Sequence, residues 1–149
     1  MGQEGGAHAT DADTGAPAPP GGAGGQGSTC LLIRKAPYGA SNAAETFRAL
    51  QAFYAFEKPV TLLFMDDAVL SLVRGVDPAG IGMRPLSRAF ADLGALPGVG
   101  FVVHLESLEE RGLRPDDLEP PLEGADAFRF VRTADLEATL ASHKAIIRV

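Results

Sequence analysis

Short, nearly continuous apolar runs alternate with longer amphipathic stretches along residues 29–149. Runs of about five apolar residues between turn residues are typical of strands, and the lack of polar positions within them indicates burial on both faces. We therefore predict an α/β fold, a three-layer α/β/α sandwich around a mainly parallel five-stranded sheet. The predicted strands cover residues 29–34, 60–64, 99–105, 127–131 and 145–149.

The stretches between these runs carry helix signals. Asn42 with Glu45 resembles a capping box at the start of the first helix. Apolar residues at i, i+3, i+4 and i+7 predict an amphipathic helix over residues 85–93, with Gly94 as its C-cap. Thr133 is expected to cap the start of the last helix.

Shorter segments complete the predicted connections. Residues 68–73 are predicted to form an apolar helical turn, and the glycines and proline of residues 75–83 predict a loop without regular structure. Ser107 and Glu110 form a capping-box pattern, and Gly112 is expected to end the single helical turn that it starts.

Residues 1–28 differ in composition from the rest of the chain. They hold half of the 18 glycines, contain neither Lys nor Arg, and include no bulky aliphatic residue after Met1. Such a segment cannot bury enough apolar surface to offset the entropy of ordering, so we predict a disordered tail before one domain over residues 29–149. The tail lacks the basic start and apolar segment of a signal peptide. Its G-x-G-x-x-G match precedes the first strand and is interpreted as chance.

Charge and cysteine content exclude several kinds of site. The formal net charge is −6 and the pI is about 5.0, which argues against broad nucleic-acid binding because that requires a basic face. Cys30 is the single cysteine, so an intrachain disulfide and CxxC zinc sites are excluded. No apolar run approaches the length of a membrane span.

The second predicted strand ends in two adjacent acids, Asp66 and Asp67. At the carboxyl edge of a parallel sheet, where ligands bind, such a pair can hold Mg²⁺, act as acid and base, or serve as in a receiver domain. The alternative, which the residue types favour, is that one acid caps the following helix and the other is solvated.

Four further residues carry candidate chemistry. His104 ends the third predicted strand near the same edge, and it can act as a base near neutral pH or be structural. Lys35 and Tyr38 follow the first strand and can join the acids in a polar pocket, a partner surface or a simple ion pair. Cys30 starts the first strand at the opposite edge, where burial would leave the thiol inert, so we interpret it as packing. These residues do not form a complete catalytic constellation.

Four segments keep the order and spacing of a known family. They are RKAPYG (residues 34–39), LFMDDAV (63–69), LVRGVD followed by GIGM (72–83) and SLEERGL (107–113). Together they resemble the DsrF/TusC branch of the DsrE-like sulfur-relay proteins, with Ala68 where Gly is usual.

The resemblance implies a DsrE-like, flavodoxin-like fold and a subunit of a cytoplasmic heterohexamer built from three related small proteins. Its expected partners are DsrE/TusD-like and DsrH/TusB-like subunits, and a downstream sulfur-carrier protein is a further one. Such a complex serves intracellular sulfur oxidation or tRNA 2-thiouridine synthesis. For this subunit we expect no cofactor, no metal, no membrane contact and no direct contact with nucleic acid.

The resemblance also places His104 at the position of the family's carrier cysteine. Imidazole cannot hold a persulfide, so we expect a non-catalytic subunit with no catalytic residue of its own. Residues expected in a pocket or a subunit contact are Lys35, Pro37, Tyr38, Gly39, Asp66 and Asp67. Two alternatives stay open: a stand-alone α/β enzyme or receiver-type domain that uses the two acids, and a homo-oligomer without sulfur transfer.

Overall fold

Five parallel strands form one sheet in the computed structural model, which describes residues 28–39, 42–119 and 129–149. The strands are β1 (Thr29–Ile33), β2 (Val60–Phe64), β3 (Val99–His104), β4 (Arg129–Val131) and β5 (Ala145–Arg148). Their order is β4-β3-β2-β1-β5, and neighbours pair in parallel throughout. The α/β fold and the parallel five-stranded sheet that the apolar runs predict are confirmed.

Helices connect these strands within the described ranges. The α-helices are α1 (Asn42–Ala55), α2 (Leu86–Gly94), α3 (Leu105–Glu109) and α4 (Thr133–Ala141), and the 3₁₀ helices are Asp66–Leu72, Pro78–Ile81 and Pro115–Asp117. The prediction of no regular structure over residues 75–83 is therefore wrong. Asp77 Oδ1 accepts a hydrogen bond of 3.0 Å from the Ala79 N–H, and this local bond starts the 3₁₀ turn.

Two predicted helix ends are wrong as well. Gly94 is the last residue of α2 and not its cap, because the chain keeps a helical conformation through Ala95. The left-handed residue comes later, at Gly98, where φ is 85°. Thr133 is the first residue of α4, and Arg132 is its N-cap. The N–H of Thr133 donates to the carboxylate of Glu106, so a residue of another segment takes the place of a capping side chain. The cap predicted at Asn42 involves a side chain outside the described part of the structure.

The two faces of the sheet are covered by different helices. Helices α1 and α2 pack on the face that carries Leu62 and Phe64, and there the rings of Phe64 and Phe90 meet edge to face with centroids 5.1 Å apart. Leu136 and Leu140 of α4 pack on the opposite face. The core of that face consists of Cys30, Leu63, Val102 and Val131. This arrangement gives the three predicted layers.

Strand β5, at one end of the sheet, has less cover than the centre. All five residues of β2 are buried, whereas all four residues of β5 are exposed. The tail predicted from composition, residues 1–27, and the start of the predicted fourth strand, residues 127–128, lie outside the described residues. Ser28 is buried, and its carbonyl accepts a hydrogen bond of 2.9 Å from the Lys144 N–H.

Candidate functional site

Charged and polar side chains meet at the carboxyl edge of the sheet. Parallel strands all end at the same edge, so the residues that follow β1, β2 and β3 come together there. Arg34 follows β1, Asp66 and Asp67 follow β2 after one residue, and His104 is the last residue of β3. The edge predicted from the apolar runs is therefore the place where these sequence candidates lie.

Each of the two acids pairs with an arginine. Arg34 Nε donates to Asp66 Oδ2 at 2.5 Å, and Arg111 Nη2 and Nε donate to Asp67 Oδ1 at 2.8 and 3.0 Å. Neither acid caps the following 3₁₀ helix, because its N-cap is Met65 and no side chain caps it. The prediction of one capping acid and one solvated acid is wrong. We call these four residues, Arg34, Asp66, Asp67 and Arg111, the charged rim.

Asp66 has an unusual backbone conformation for a residue other than glycine. Its φ is 51°, in the left-handed region, and its N–H donates to Ser107 Oγ at 2.8 Å. Aspartate tolerates this region better than most residues, at a cost of about 1–2 kcal/mol. Ser107 is buried and lies inside α3, so it does not start a capping box as predicted. Its hydroxyl binds the strained Asp66 instead.

His104 lies in a buried network of hydrogen bonds. The side chain of His104 is on the α4 face of the sheet, and the residue is 7% exposed. Its Nδ1 is 2.8 Å from Ser107 Oγ, and its Nε2 is 2.9 Å from Thr133 Oγ1 and 3.3 Å from Glu106 Oε2. Both ring nitrogens therefore have partners, which are Ser107 and Glu106 on α3 and Thr133 on α4.

Glu106 supplies the cap that Thr133 was expected to provide. Both carboxylate oxygens of Glu106 accept from the Thr133 N–H, at 3.2 and 3.1 Å, at the positive end of the α4 dipole. Desolvation raises the pKa of Glu106, but the N–H groups of Glu106 and Thr133 and the charges of His104 and Arg132 outweigh it. The pKa of Glu106 is therefore below its usual value.

Arg132 completes this junction between α3 and α4. Its guanidinium donates to both carboxylate oxygens of Glu109, at 3.0 and 3.4 Å, and lies 3.7 Å from Glu106 Oε1. The hydrogen bond and the charge of Glu109 raise the pKa of Arg132 above its usual value. Two carboxylates of α3 therefore hold the start of α4 against the end of β3.

The other predicted contact residues divide between two depressions. Lys35 lies with both acids in an open polar cleft of about 610 Å³, which Glu45 and Arg148 also line. Pro37 and Tyr38 line a separate apolar groove of about 340 Å³ whose other walls are Ala36, Leu70, Val73, Val76 and Leu113. The Tyr38 hydroxyl accepts from the Leu86 N–H at 3.3 Å, so the phenol does not join the acids. Gly39 has a φ of 96° and ends this stretch of the described chain.

Cys30 lies apart from the carboxyl edge, in the core between the sheet and α4. The residue is 0% exposed, and burial raises the pKa of its thiol to about 11. A thiol of this kind is a poor nucleophile near neutral pH. The interpretation of Cys30 as core packing agrees with this environment.

The described residues contain no group of three or more His, Cys, Asp and Glu side chains placed to hold a metal ion. With both acids in ion pairs and both nitrogens of His104 in hydrogen bonds, the carboxyl edge presents a fixed charge pattern. A surface of this kind is suited to recognising another molecule.

The sequence matches the DsrE/DsrF-like family over residues 28–148. The chain belongs to the DsrE/DsrF-like family. It is 44% identical over 87 residues to the intracellular sulfur oxidation protein DsrF of Allochromatium vinosum, an alignment covering 58% of this chain and 64% of that protein. The aligned part is thus less than two thirds of the length of that relative.

Two other proteins extend the comparison. A TusC homolog of Pseudomonas aeruginosa is 34% identical over 102 residues, which cover 66% of this chain and 83% of that protein. The ychN protein from E. coli has the same fold, with a TM-score of 0.62 at 17% identity over 83% of this chain and 100% of that one. The resemblance to the DsrF/TusC branch is confirmed.

Several site residues of this DsrE/DsrF-like chain were not predicted from its sequence. Arg111, Glu106 and Thr133 act through partners 27 or more residues away, and local patterns do not reveal such pairs. The Glu-Glu-Arg sequence before Gly112 gave no signal for the pairing of Arg111 with Asp67, because an arginine beside two acids is equally consistent with a solvated side chain. Within the described residues, no helix is long and apolar enough to cross a membrane.

Proposed function

We propose that this chain is a non-catalytic subunit of a cytoplasmic sulfur-relay complex with related DsrE/TusD-like and DsrH/TusB-like subunits. The observation that carries the proposal is the 44% identity to a protein named for intracellular sulfur oxidation. The branch as a whole leaves two processes for the complex, intracellular sulfur oxidation and tRNA 2-thiouridine synthesis. A downstream sulfur-carrier protein is a further partner of the complex.

The chemistry of the single cysteine supports a role without sulfur transfer. A persulfide carrier needs a thiolate that a donor can reach. Cys30 is fully buried with a raised pKa, so it meets neither requirement. His104, which the resemblance places at the carrier position, presents two nitrogens that are both engaged and no sulfur. In this proposal the relay cysteines therefore belong to the partner subunits.

The charged rim and the neighbouring apolar groove are the proposed contact surface. The exposed side chains of Asp66 and Asp67 are held in defined positions by arginines from two different segments. The apolar groove is lined by aliphatic side chains such as Leu70 and Val76, which are 36% and 37% exposed. An apolar patch next to ordered charges is the composition expected of a protein interface. A receiver-type use of the acids is not favoured, because both are already paired.

The composition of the native complex tests the proposed function. The tagged chain, purified from its own host, should give a hetero-oligomer by native mass spectrometry, with two related small subunits in equal amount. Persulfide labelling should mark cysteines of these subunits and not Cys30. As a matched test, Cys30→Ala should keep both assembly and sulfur transfer. A homo-oligomer without related subunits, or sulfur transfer that is lost in Cys30→Ala, would contradict the proposal.

A further inference from the structure

We propose that His104 is a positioning residue that fixes Asp66, and with it the charged rim, through the hydroxyl of Ser107. The proposal rests on the proposed function only where it treats the rim as a subunit contact. The positioning itself is a property of the isolated chain. The proposal gives the buried His104 a structural role, since its imidazole cannot carry sulfur.

The hydrogen bonds around Ser107 determine where the proton of the His104 ring lies. Ser107 Oγ accepts the N–H of Asp66, so its own hydrogen is available for the nitrogen 2.8 Å away, His104 Nδ1. In the opposite arrangement Nδ1 would donate, and the buried Ser107 hydroxyl would have its hydrogen unpaired. A buried polar hydrogen without a partner is disfavoured, because the loss of its hydrogen bond to water is not made good inside the protein.

The surroundings of the other ring nitrogen lead to the same assignment. Thr133 Oγ1 lies 2.9 Å from Nε2, and a carboxylate oxygen of Glu106 lies 3.3 Å from it. An Nε2–H can donate to both acceptors, whereas an Nε2 lone pair would face the carboxylate charge. The neutral His104 ring therefore carries its proton on Nε2 and accepts at Nδ1.

This order of donors and acceptors has a consequence for Asp66. The hydrogen bonds all point the same way, from the rim toward α4: the Asp66 N–H donates to Ser107 Oγ, the Ser107 O–H donates to Nδ1, and Nε2–H donates to Thr133 Oγ1. Because His104 takes up the Ser107 hydrogen, the oxygen lone pairs of Ser107 face the Asp66 N–H. That bond holds Asp66 at a φ of 51°, from which its carboxylate meets Arg34.

Two substitutions of His104 separate positioning from simple packing. His104→Asn keeps an acceptor near the place of Nδ1, whereas His104→Gln keeps a polar group near the place of Nε2 and loses that acceptor. We expect amide exchange at Asp66, followed by NMR, to stay within about twofold of wild type in His104→Asn. It should accelerate by about tenfold in His104→Gln and in Ser107→Ala, the loss of one net hydrogen bond. Thr133→Val leaves Glu106 as an acceptor for Nε2–H and so keeps Nδ1 unprotonated, and this matched control should leave Asp66 unchanged.

The ring itself provides a readout that packing alone would not determine. Imidazole ¹⁵N shifts, followed upward in pH until they no longer change, should show a protonated Nε2 and an unprotonated Nδ1 on the neutral His104 ring. The proposal is overturned by a proton on Nδ1, or by equal effects of His104→Asn and His104→Gln on Asp66. If neither His104 variant folds, the wild-type shifts together with Ser107→Ala and Thr133→Val decide in the same way.

Assembly with the partner subunits is measured separately on the same variants. The affinity for these subunits should fall with His104→Gln and Ser107→Ala and persist with His104→Asn. If Asp66 responds as expected in the isolated chain but affinity is unchanged in all variants, the rim is not the contact and that part of the inference is overturned. If the wild-type chain binds no related subunit, the proposed function fails, whereas the positioning is still decided by exchange and ¹⁵N shifts.

Discussion

Strands β2 and β5 lie on either side of β1, and their environments differ sharply. Leu31 of β1 has Leu62 of β2 and Ile147 of β5 as its neighbours in register, on the same face of the sheet. Leu62 is 0% exposed, whereas Ile147 is 43% exposed. Similar aliphatic side chains in equivalent pairings thus have opposite exposures, so strand position in the sheet, and not strand sequence, determines burial.

The helix layers explain this difference. Helices α1 and α2 cover β1, β2 and β3 on one face, and α4 packs on the residues of β1 to β4 on the other. Strand β5 lies at the end of the sheet beyond both layers. With its exposed isoleucines, β5 is an apolar edge strand of the kind that many proteins protect by covering it or pairing it with another strand.

Replacing the two neighbours of Leu31 tests the comparison with the largest expected effect. Leu62→Ala should lower the free energy of unfolding by about 3 kcal/mol, because it removes a fully buried side chain and leaves a cavity. The matched change Ile147→Ala should cost less than about 1 kcal/mol, since much of that side chain already contacts solvent. Urea unfolding of both variants measures the difference.

Similar losses in the two variants would contradict the comparison. A large loss in Ile147→Ala would mean that β5 is covered in solution, for example by a second copy of the chain. Dependence of that loss on protein concentration would identify such cover, because association adds to apparent stability by mass action.

The thiol of Cys30 tests the cover over β1 on its other face. Cys30 has Thr61 of β2 and Ile146 of β5 as its neighbours in register, and α4 covers it. Burial raises the pKa of this thiol from 9.0 to about 11, which lowers the thiolate fraction by about a hundredfold at neutral pH. Labelling by a thiol reagent should therefore be at least about a hundredfold slower in the native chain than in urea. Rapid native labelling would show that α4 does not protect the β5 side of β1.

The strands were predictable from sequence because burial leaves a direct compositional trace. The runs at residues 60–64 and 99–105 gave β2 and β3 almost to the residue, and the acids after residue 64 gave the carboxyl edge. The last strand was also predictable, but its exposure was not. Ile146 and Ile147 are as apolar as the residues of β2, and nothing local distinguishes an edge strand from a central one.

The contacts of the site were less predictable because they join distant segments. Ser107 and Thr133 are both of a residue type that commonly caps helices, so the sequence predicted that each would cap the helix that it starts. In the folded chain both hydroxyls bind His104, and Glu106 caps α4 in place of Thr133. Tertiary partners replaced the local ones because buried polar groups at the end of β3 require acceptors and donors.

The smallest expected effect concerns the attachment of α4, the helix that covers the central strands and not β5. The pKa of Glu106 is lowered in the folded chain, so between its folded value and the ordinary value of about 4.3 the unfolded chain binds more protons. The stability contributed by Glu106 is therefore complete above about pH 4.3 and is lost as pH falls through the folded pKa.

Urea midpoints between about pH 6 and pH 3 should decline less steeply in Glu106→Gln than in wild type. Glu109→Gln removes a carboxylate from the same helix but keeps Glu106, so its urea midpoint should decline over this pH range as steeply as that of wild type. Equal slopes in wild type and Glu106→Gln would mean that this carboxylate does not hold α4 over the centre of the sheet.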